Sequence, residues 1–274
     1  MSDPDIIFDL QQIGYSYSDL TPVLCALDFK VNRGESVAIL GANGCGKSTL
    51  LGLMNGLLFA TEGAVQAYGQ RLTEDKLARE DFAHFFRSRV GFVFQNPDIQ
   101  LFCPTVWDEV CFGPLQLGLS PEEVRQRAID VLALLGIEHL RERAPFSLSG
   151  GEKKKVAIAS VLSMNTEVLL LDEPESGLDP RTQAWFIEFL RRLHSHGKTL
   201  IAATHDLSIV DEVASRIVVL DESHRLIADG STDEILSDQE LLLKANLVHE
   251  HIHHHGGVTH RHLHSHVLGH RHSH

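Results

Sequence analysis

Apolar positions along this chain change period several times, and each change predicts an element. IIFDLQQIGYSY (6–17) and VLCALDFKV (23–31) alternate in part, with Leu27, Phe29 and Val31 on one side, which predicts an antiparallel edge sheet. ESVAIL (35–40) is a short, continuous apolar run of buried-strand type, and STLLGLMNGLL after it brings Leu50, Leu53, Met54 and Leu57 to one helical face. From Asn96 to about Asn165 the pattern is helical. Ser120-Pro121-Glu122-Glu123 reads as a capped helix start, and Gly136 supplies a stop after VLALLG. VLLLDEP (168–174), TLIAATH (199–205), RIVVLDE (216–222) and RLIADG (225–230) read as further strands, with a helix over 184–193 between the first two. There are no internal repeats.

Length and composition narrow the picture modestly. With 274 residues, 43% of them hydrophobic, the chain can bury a full α/β core with a subdomain. No stretch approaches the ~20 apolar residues that cross a bilayer. A formal net charge of −13 argues against a generic nucleic-acid surface, so no nucleic-acid partner is expected. Cys25, Cys45, Cys103 and Cys111 lack CxxC spacing, and with no secretory leader ahead of the domain a reducing cytosolic setting is expected.

The chemistry begins where the strand at 35–40 meets its helix. The joining loop reads GANGCGKST (41–49). Gly41, Gly44 and Gly46 let the backbone turn its N–H groups inward, Lys47 brings a point charge to the outer phosphates, and the Ser48 hydroxyl can ligate Mg²⁺. The positive end of the following helix adds to this anion site. Cys45, inside the loop, is a candidate thiol-sensitive position. A second anion site is read at LSGGEKKKVAIASVL (148–162), where Ser149, Gly150 and Gly151 precede a helix carrying Val156, Ile158, Ala159 and Leu162. Lys153, Lys154 and Lys155 oppose the helix dipole by roughly 0.3–1 kcal/mol each, which makes sense beside a polyphosphate.

With these three segments in order, the chain resembles the ATPase subunit of an ATP-binding-cassette (ABC) transporter over roughly residues 5 to 236. GANGCGKST looks like the Walker A loop, which counts Asn43, Cys45 and Thr49 with the nucleotide-binding residues; LSGGE looks like the family signature, and VLLLDEP like Walker B. The resemblance implies an α/β fold: a P-loop nucleotide-binding core with an N-terminal antiparallel β subdomain and an inserted helical subdomain at about 96–165. Tyr17 resembles the aromatic that stacks on adenine, with Tyr15 the nearest competitor; Gln95 in VGFVFQNP resembles the Q-loop glutamine, SGLD (176–179) with Asp179 the D-loop, and His205 the switch histidine. On this pattern ATP and Mg²⁺ are the cofactors expected. Ser48, Gln95 and Asp172 would hold the metal, Glu173 would polarise the attacking water, and His205 would orient it with the γ-phosphate. Positioning and charge stabilisation supply most of such catalysis. The signature departs from the family at Glu152, where Gln is usual, adding negative charge close to the phosphate.

In this family the Walker A loop of one chain and the signature of another enclose one ATP, so Ser149, Gly150, Gly151 and Glu152 are expected to serve a partner's nucleotide in a head-to-tail homodimer. QNPDIQLF (95–102) looks like the segment of energy-coupling-factor importers, especially cobalt and nickel systems, that helps to form a groove for a membrane-protein helix. Residues 249–274 hold twelve of the 18 histidines and little that builds a core, which predicts a flexible His-rich tail after a 1–248 ATPase domain. Imidazole suits transition metals, so the tail is expected to bind one. The reading is an ATPase at the cytoplasmic face of the cell membrane, peripheral to integral membrane subunits, energising cobalt import, with nickel the alternative cargo. From other classes, a nickel-delivery GTPase lacks support because there is no NKxD segment, and a soluble cassette acting on nucleic acid or ribosomes sits badly with the acidic balance.

Overall fold

The computed structural model describes residues 5–18, 21–255 and 258–265, of which 249–255 and 258–265 as backbone. The alternating N-terminal segments form β1 (Ile6–Ser16) and β2 (Pro22–Asn32), joined by β4 (Glu62–Ala67) and β5 (Gln70–Arg71) in an antiparallel sheet of order β2-β1-β4-β5. Leu27, Phe29 and Val31 are buried, as their shared side predicts.

The second sheet runs β10-β9-β3-β8-β7-β6: β3 (Ser36–Leu40), β6 (Val90–Val93), β7 (Val168–Asp172), β8 (Thr199–Thr204) and β9 (Arg216–Leu220) are parallel, and β10 (Leu226–Ser231) pairs antiparallel at the edge. Every residue of β3 is buried. Val37 and Ile39 join the core shared with the first sheet and with Leu50, Leu53 and Met54 of α1 (Lys47–Met54). Ala38 and Leu40 join the opposite core, capped by α8 (Leu207–Val213), α9 (Thr232–Ser237) and α10 (Gln239–Lys244). Covering on both faces explains why these strands read as continuous apolar runs rather than alternating ones.

Two short helices, α2 (Glu74–Leu77) and α3 (Glu80–Arg87), lead into β6. The helical stretch between β6 and β7 holds α4 (Val106–Gln116), α5 (Pro121–Leu135) and α6 (Gly150–Leu162) around their own core, which reaches β7 through Leu169 and Leu171. Helix α5 starts in the capping box of Ser120 and Glu123 and ends at Gly136, whose φ of 65° is the left-handed cap that glycine favours. Helix α7 (Pro180–Ser195) is longer than its apolar pattern predicts, because Asp179 caps it and Pro180 opens it.

Leu57 departs from the expected helical face. Helix α1 stops at Met54, Asn55 caps it and Gly56 turns the chain at φ 69°, so Leu57 lies beyond the helix and is exposed. The tail enters the structure as an antiparallel hairpin, β11 (Val248–His255) with β12 (Val258–Ser265), which shares no ladder with either larger sheet. Its register pairs His249 with His264, His251 with His262 and His253 with His260. Residues 266–274 lie outside the described residues, so the expectation of a flexible tail is without a structural counterpart there. No helix among the described residues is long and apolar enough to cross a membrane.

Candidate active site

Three strands end side by side. Leu40 of β3 pairs with Thr204 of β8, and Asp172 of β7 pairs with Ala203, so the loops leaving β3, β7 and β8 converge at one edge of the sheet, where open α/β sheets bind ligands. The glycine loop leaves β3 here. Gly46 holds φ 112°, and a Cβ on it would lie 2.6 Å from the carbonyl oxygen of Val23, so only glycine fits. Gly46 is also the N-cap of α1 and supplies no side-chain cap, nor does the first turn carry an acidic residue. The opening N–H groups of this helix are left to a ligand of negative charge.

Lys47 is 5% exposed, and its Nζ donates to the carbonyls of Gly41 (2.9 Å) and Ala42 (3.1 Å) while lying 3.8 Å from Glu173 Oε1. Ser48 Oγ donates to Asp172 Oδ1 at 2.9 Å. Burial pushes the Asp172 carboxyl above its ordinary range, and the Glu173 charge adds to this against the Ser48 hydrogen bond and the Lys47 and Lys154 charges. Two hard oxygens held together, one on a carboxylate whose charge is costly to bury, fit Mg²⁺. Gln95 does not join that pair: its Nε2 donates to Glu173 Oε2 at 2.8 Å.

Glu173 is the hub of this edge. Besides Gln95 and Lys47, His205 Nδ1 approaches its Oε1 at 3.3 Å, and its own N–H donates to the Ala203 carbonyl at 2.8 Å. Its backbone stands at φ 38°, an unusual conformation for glutamate that the surrounding bonds hold in place. The loop after β7 thereby delivers one carboxylate, 9% exposed, toward the ligand side. Tyr17 is 65% exposed and its hydroxyl hydrogen-bonds Thr49 Oγ1 at 3.1 Å. Tyr15 is half-buried and meets the Tyr17 ring edge-on at 5.0 Å, which leaves Tyr17 as the ring open to a base. Cys45 is 1% exposed and burial raises its thiol, so the loop cysteine is not the sensitive position its place in the loop suggests.

The signature lies elsewhere. Ser149 caps α6, accepting from the Glu152 N–H, while the Glu152 carboxylate accepts from Ser149 N–H (2.8 Å) and Oγ–H (2.7 Å). These bonds hold the Glu152 carboxyl below its ordinary range and turn its charge back onto the cap, so the acidic departure from the family pattern closes a capping box. Among the described residues no hydrogen bond or ion pair joins Ser149–Glu152 to the glycine loop. Asp179 is a helix cap too, accepting from Arg181 N–H, Thr182 N–H and Thr182 Oγ–H.

The lysine run does not form a basic face toward a phosphate. Lys153 bonds Asp98 (2.6 Å), Lys155 lies 4.6 Å from the Trp185 ring centroid, and Lys154, 2% exposed, donates to the carbonyls of Phe94 and Gln95. Burial pushes Lys154 down to about 8, against the pull of Glu175, Asp172 and Glu173. Glu175 is a further buried charge that the sequence motifs do not single out. It is buried, accepts from Thr204 Oγ1, leaves Oε2 without a hydrogen bond, and is pushed up by its burial. A second glutamate two places after Glu173 was the available signal.

Beside the Gln95 loop a groove of about 710 Å³ is lined by Leu57, His84, Phe92, Gln100, Phe102 and Phe112, among others. It is where the exposed Leu57 faces.

A family model described as ABC transporter matches residues 24–176. The chain is 46% identical over 244 residues to a nickel import ATP-binding protein, NikO, of Rhodobacter capsulatus, covering 88% of this chain and 95% of that one. It is 45% identical over 243 residues to an energy-coupling factor transporter ATP-binding protein, EcfA, of Methanothermobacter thermautotrophicus, covering 88% and 76%. Among solved structures, cbiO1 of Clostridium perfringens, described as part of the ABC transporter complex cbiONQ, superposes with a TM-score of 0.75 at 37% identity over 89% of this chain and 95% of that one.

Proposed function

This chain belongs to the ABC transporter family as an ATP-hydrolysing transporter subunit, and on that premise we propose that it drives import of cobalt ions, with nickel the alternative cargo, through separate membrane subunits. In this reading two copies meet head to tail on the cytoplasmic face of the membrane. The glycine loop of each copy and the Ser149 end of α6 from the other enclose one ATP. Among the described residues no bond joins those two regions within one chain, which supports a site completed by a partner.

Hydrolysis follows from the Glu173 hub. ATP seats its phosphates on the loop and the N-terminus of α1, drawing Lys47 from the Gly41 and Ala42 carbonyls to the outer phosphates. Glu173, held by Gln95 and His205, takes the proton side of the attacking water, and His205 orients that water against the γ-phosphate. Ser48 and Asp172 would hold Mg²⁺, which would supply charge neutralisation on the phosphates. Tyr17 covers the adenine.

One observation carries the link to a membrane partner. Residues 95–102 provide both Gln95, bonded to Glu173, and Gln100 and Phe102, which line the groove. A partner's helix in that groove is therefore mechanically connected to the hydrolytic carboxylate. The histidine-on-histidine register of β11 and β12 supports a transition metal as what the tail binds and the system handles. The test is to recover Glu173→Gln protein with ATP from its native membranes, identify the polytopic chains that accompany it, and assay assemblies of those chains with the wild-type protein and with Glu173→Gln for Co²⁺ and Ni²⁺ uptake. Cobalt uptake dependent on Glu173 is the expected result. A nucleic-acid or ribosomal complex with no membrane chain overturns the transport reading.

A further inference from the structure

Lys154 is an ammonium in a place where an apolar side chain packs at less cost. It is 2% exposed, and among the described residues no carboxylate pairs with it; its Nζ donates to Phe94 O at 3.1 Å and Gln95 O at 3.0 Å. Glu175, Asp172 and Glu173 attract this charge without bonding it, burial outweighs them, and its hydrogen bonds go to backbone carbonyls, which directs attention to what those carbonyls do. They belong to consecutive residues of the loop after β6, and the second carries the side chain bonded to Glu173 at 2.8 Å. The neighbouring grips are different in kind. Lys153 bonds Asp98 at an exposed position, where an ion pair contributes little, and Lys155 rests on Trp185. Gln100 bonds α6 through the Ala157 carbonyl and Ser160 hydroxyl while accepting from Phe94 N–H, so it fixes the other end of the loop.

Helix α6 thus has two working points. Its first turn presents Ser149, and Lys154, five residues on and so about 7.5 Å along the axis, holds the loop of Gln95. We propose that Lys154 is a positioning residue that links the Ser149 end of α6 to Gln95, so that engagement of a partner's nucleotide at the signature sets the Glu173 site of the same chain and the two sites of a dimer hydrolyse ATP cooperatively. The inference rests on the two-chain site proposed above. A helix is stiff over this distance, and a shift of its N-terminus moves the Lys154 anchor with it.

The test is Lys154→Met in the full-length chain, with Lys154→Arg, which keeps charge and donors. Steady-state hydrolysis as a function of ATP is compared with equilibrium ATP binding and with ATP-driven dimer formation in a Glu173→Gln background. Expected for Lys154→Met is a fall in kcat of about tenfold or more, ATP affinity and dimer formation within about threefold of the parent, and a Hill coefficient that drops to 1, with Lys154→Arg recovering part of each. Wild-type kcat and Hill coefficient in folded Lys154→Met overturn the proposal, as does a kcat loss matched by loss of ATP binding or dimerisation, which marks a merely structural strut. If Lys154→Met does not fold, Lys154→Gln, neutral but still a donor, is read by the same criteria. A Glu173→Gln chain that stays monomeric with ATP overturns the two-chain site itself, and the kcat of Lys154→Met then still decides the Lys154–Gln95 link.

Discussion

The Glu173 hub and the Ser149 cap, the two regions proposed to enclose ATP, are built in opposite ways. Around Glu173 the partners come from three distant segments: Lys47, Gln95 and His205 approach its carboxylate, and Ala203, on the same segment as His205, accepts from its N–H. The hub is largely buried, with Lys47 5%, Asp172 7% and Glu173 9% exposed. At Ser149 every polar bond of the cap is made within four residues, and the serine is exposed. The first site is organised before any ligand arrives. The second offers a preformed helix end that, among the described residues, makes no bond to the glycine loop of its own chain, as the proposed two-chain site requires.

The strongest way to break this comparison is at the hub. Glu173→Gln should reduce turnover by about 10²- to 10⁴-fold while leaving ATP binding intact, measured by phosphate release against equilibrium nucleotide binding; turnover at the wild-type rate removes Glu173 from its role. Next in size, Ser149→Arg should lower hydrolysis by about 10²-fold with monomer ATP binding retained. Mixing Ser149→Arg with Lys47→Ala chains should recover turnover above either alone, because one site of the mixed dimer is intact. Failure to recover argues that both halves lie in one chain.

A smaller effect concerns the buried acid behind the hub. Glu175 has a folded pKa raised above its unfolded value, so the protein gives up stability as pH rises through that folded pKa. Glu175→Gln removes the titration. Its melting temperature should exceed the wild-type value at neutral and higher pH, with the gap closing toward acid, where wild-type Glu175 is protonated; a gap independent of pH contradicts the assignment. The smallest effect on hydrolysis is expected at the tail: truncation after Leu247 should leave ATPase turnover unchanged while transition-metal binding falls, as read by calorimetry with Co²⁺ and Ni²⁺. Undiminished metal binding places the metal elsewhere on the chain.

Much of the site was legible because its parts are contiguous. A loop of three glycines ahead of Lys47 and Ser48, an apolar strand ending in Asp172 and Glu173, and a serine three residues ahead of Glu152 each state their own backbone geometry. The same locality misled at Leu57, where apolar spacing extended a helix that Asn55 and Gly56 end. It also gave no sign of β4 or β5, short strands whose place is set by pairing with β1 and with each other.

The order of motifs, the buried strands and the Ser120 helix cap can be read from sequence, because each depends on residues within a few positions of one another. Only the tertiary structure decided which way the three lysines face. Consecutive residues on a helix are turned by about 100°, so Lys153, Lys154 and Lys155 meet three different surroundings that no local pattern distinguishes. It also decided that Gln95 serves Glu173 across 78 residues of chain and that Glu152 folds back on its own cap. Those outcomes depend on burial and on partners brought together by packing.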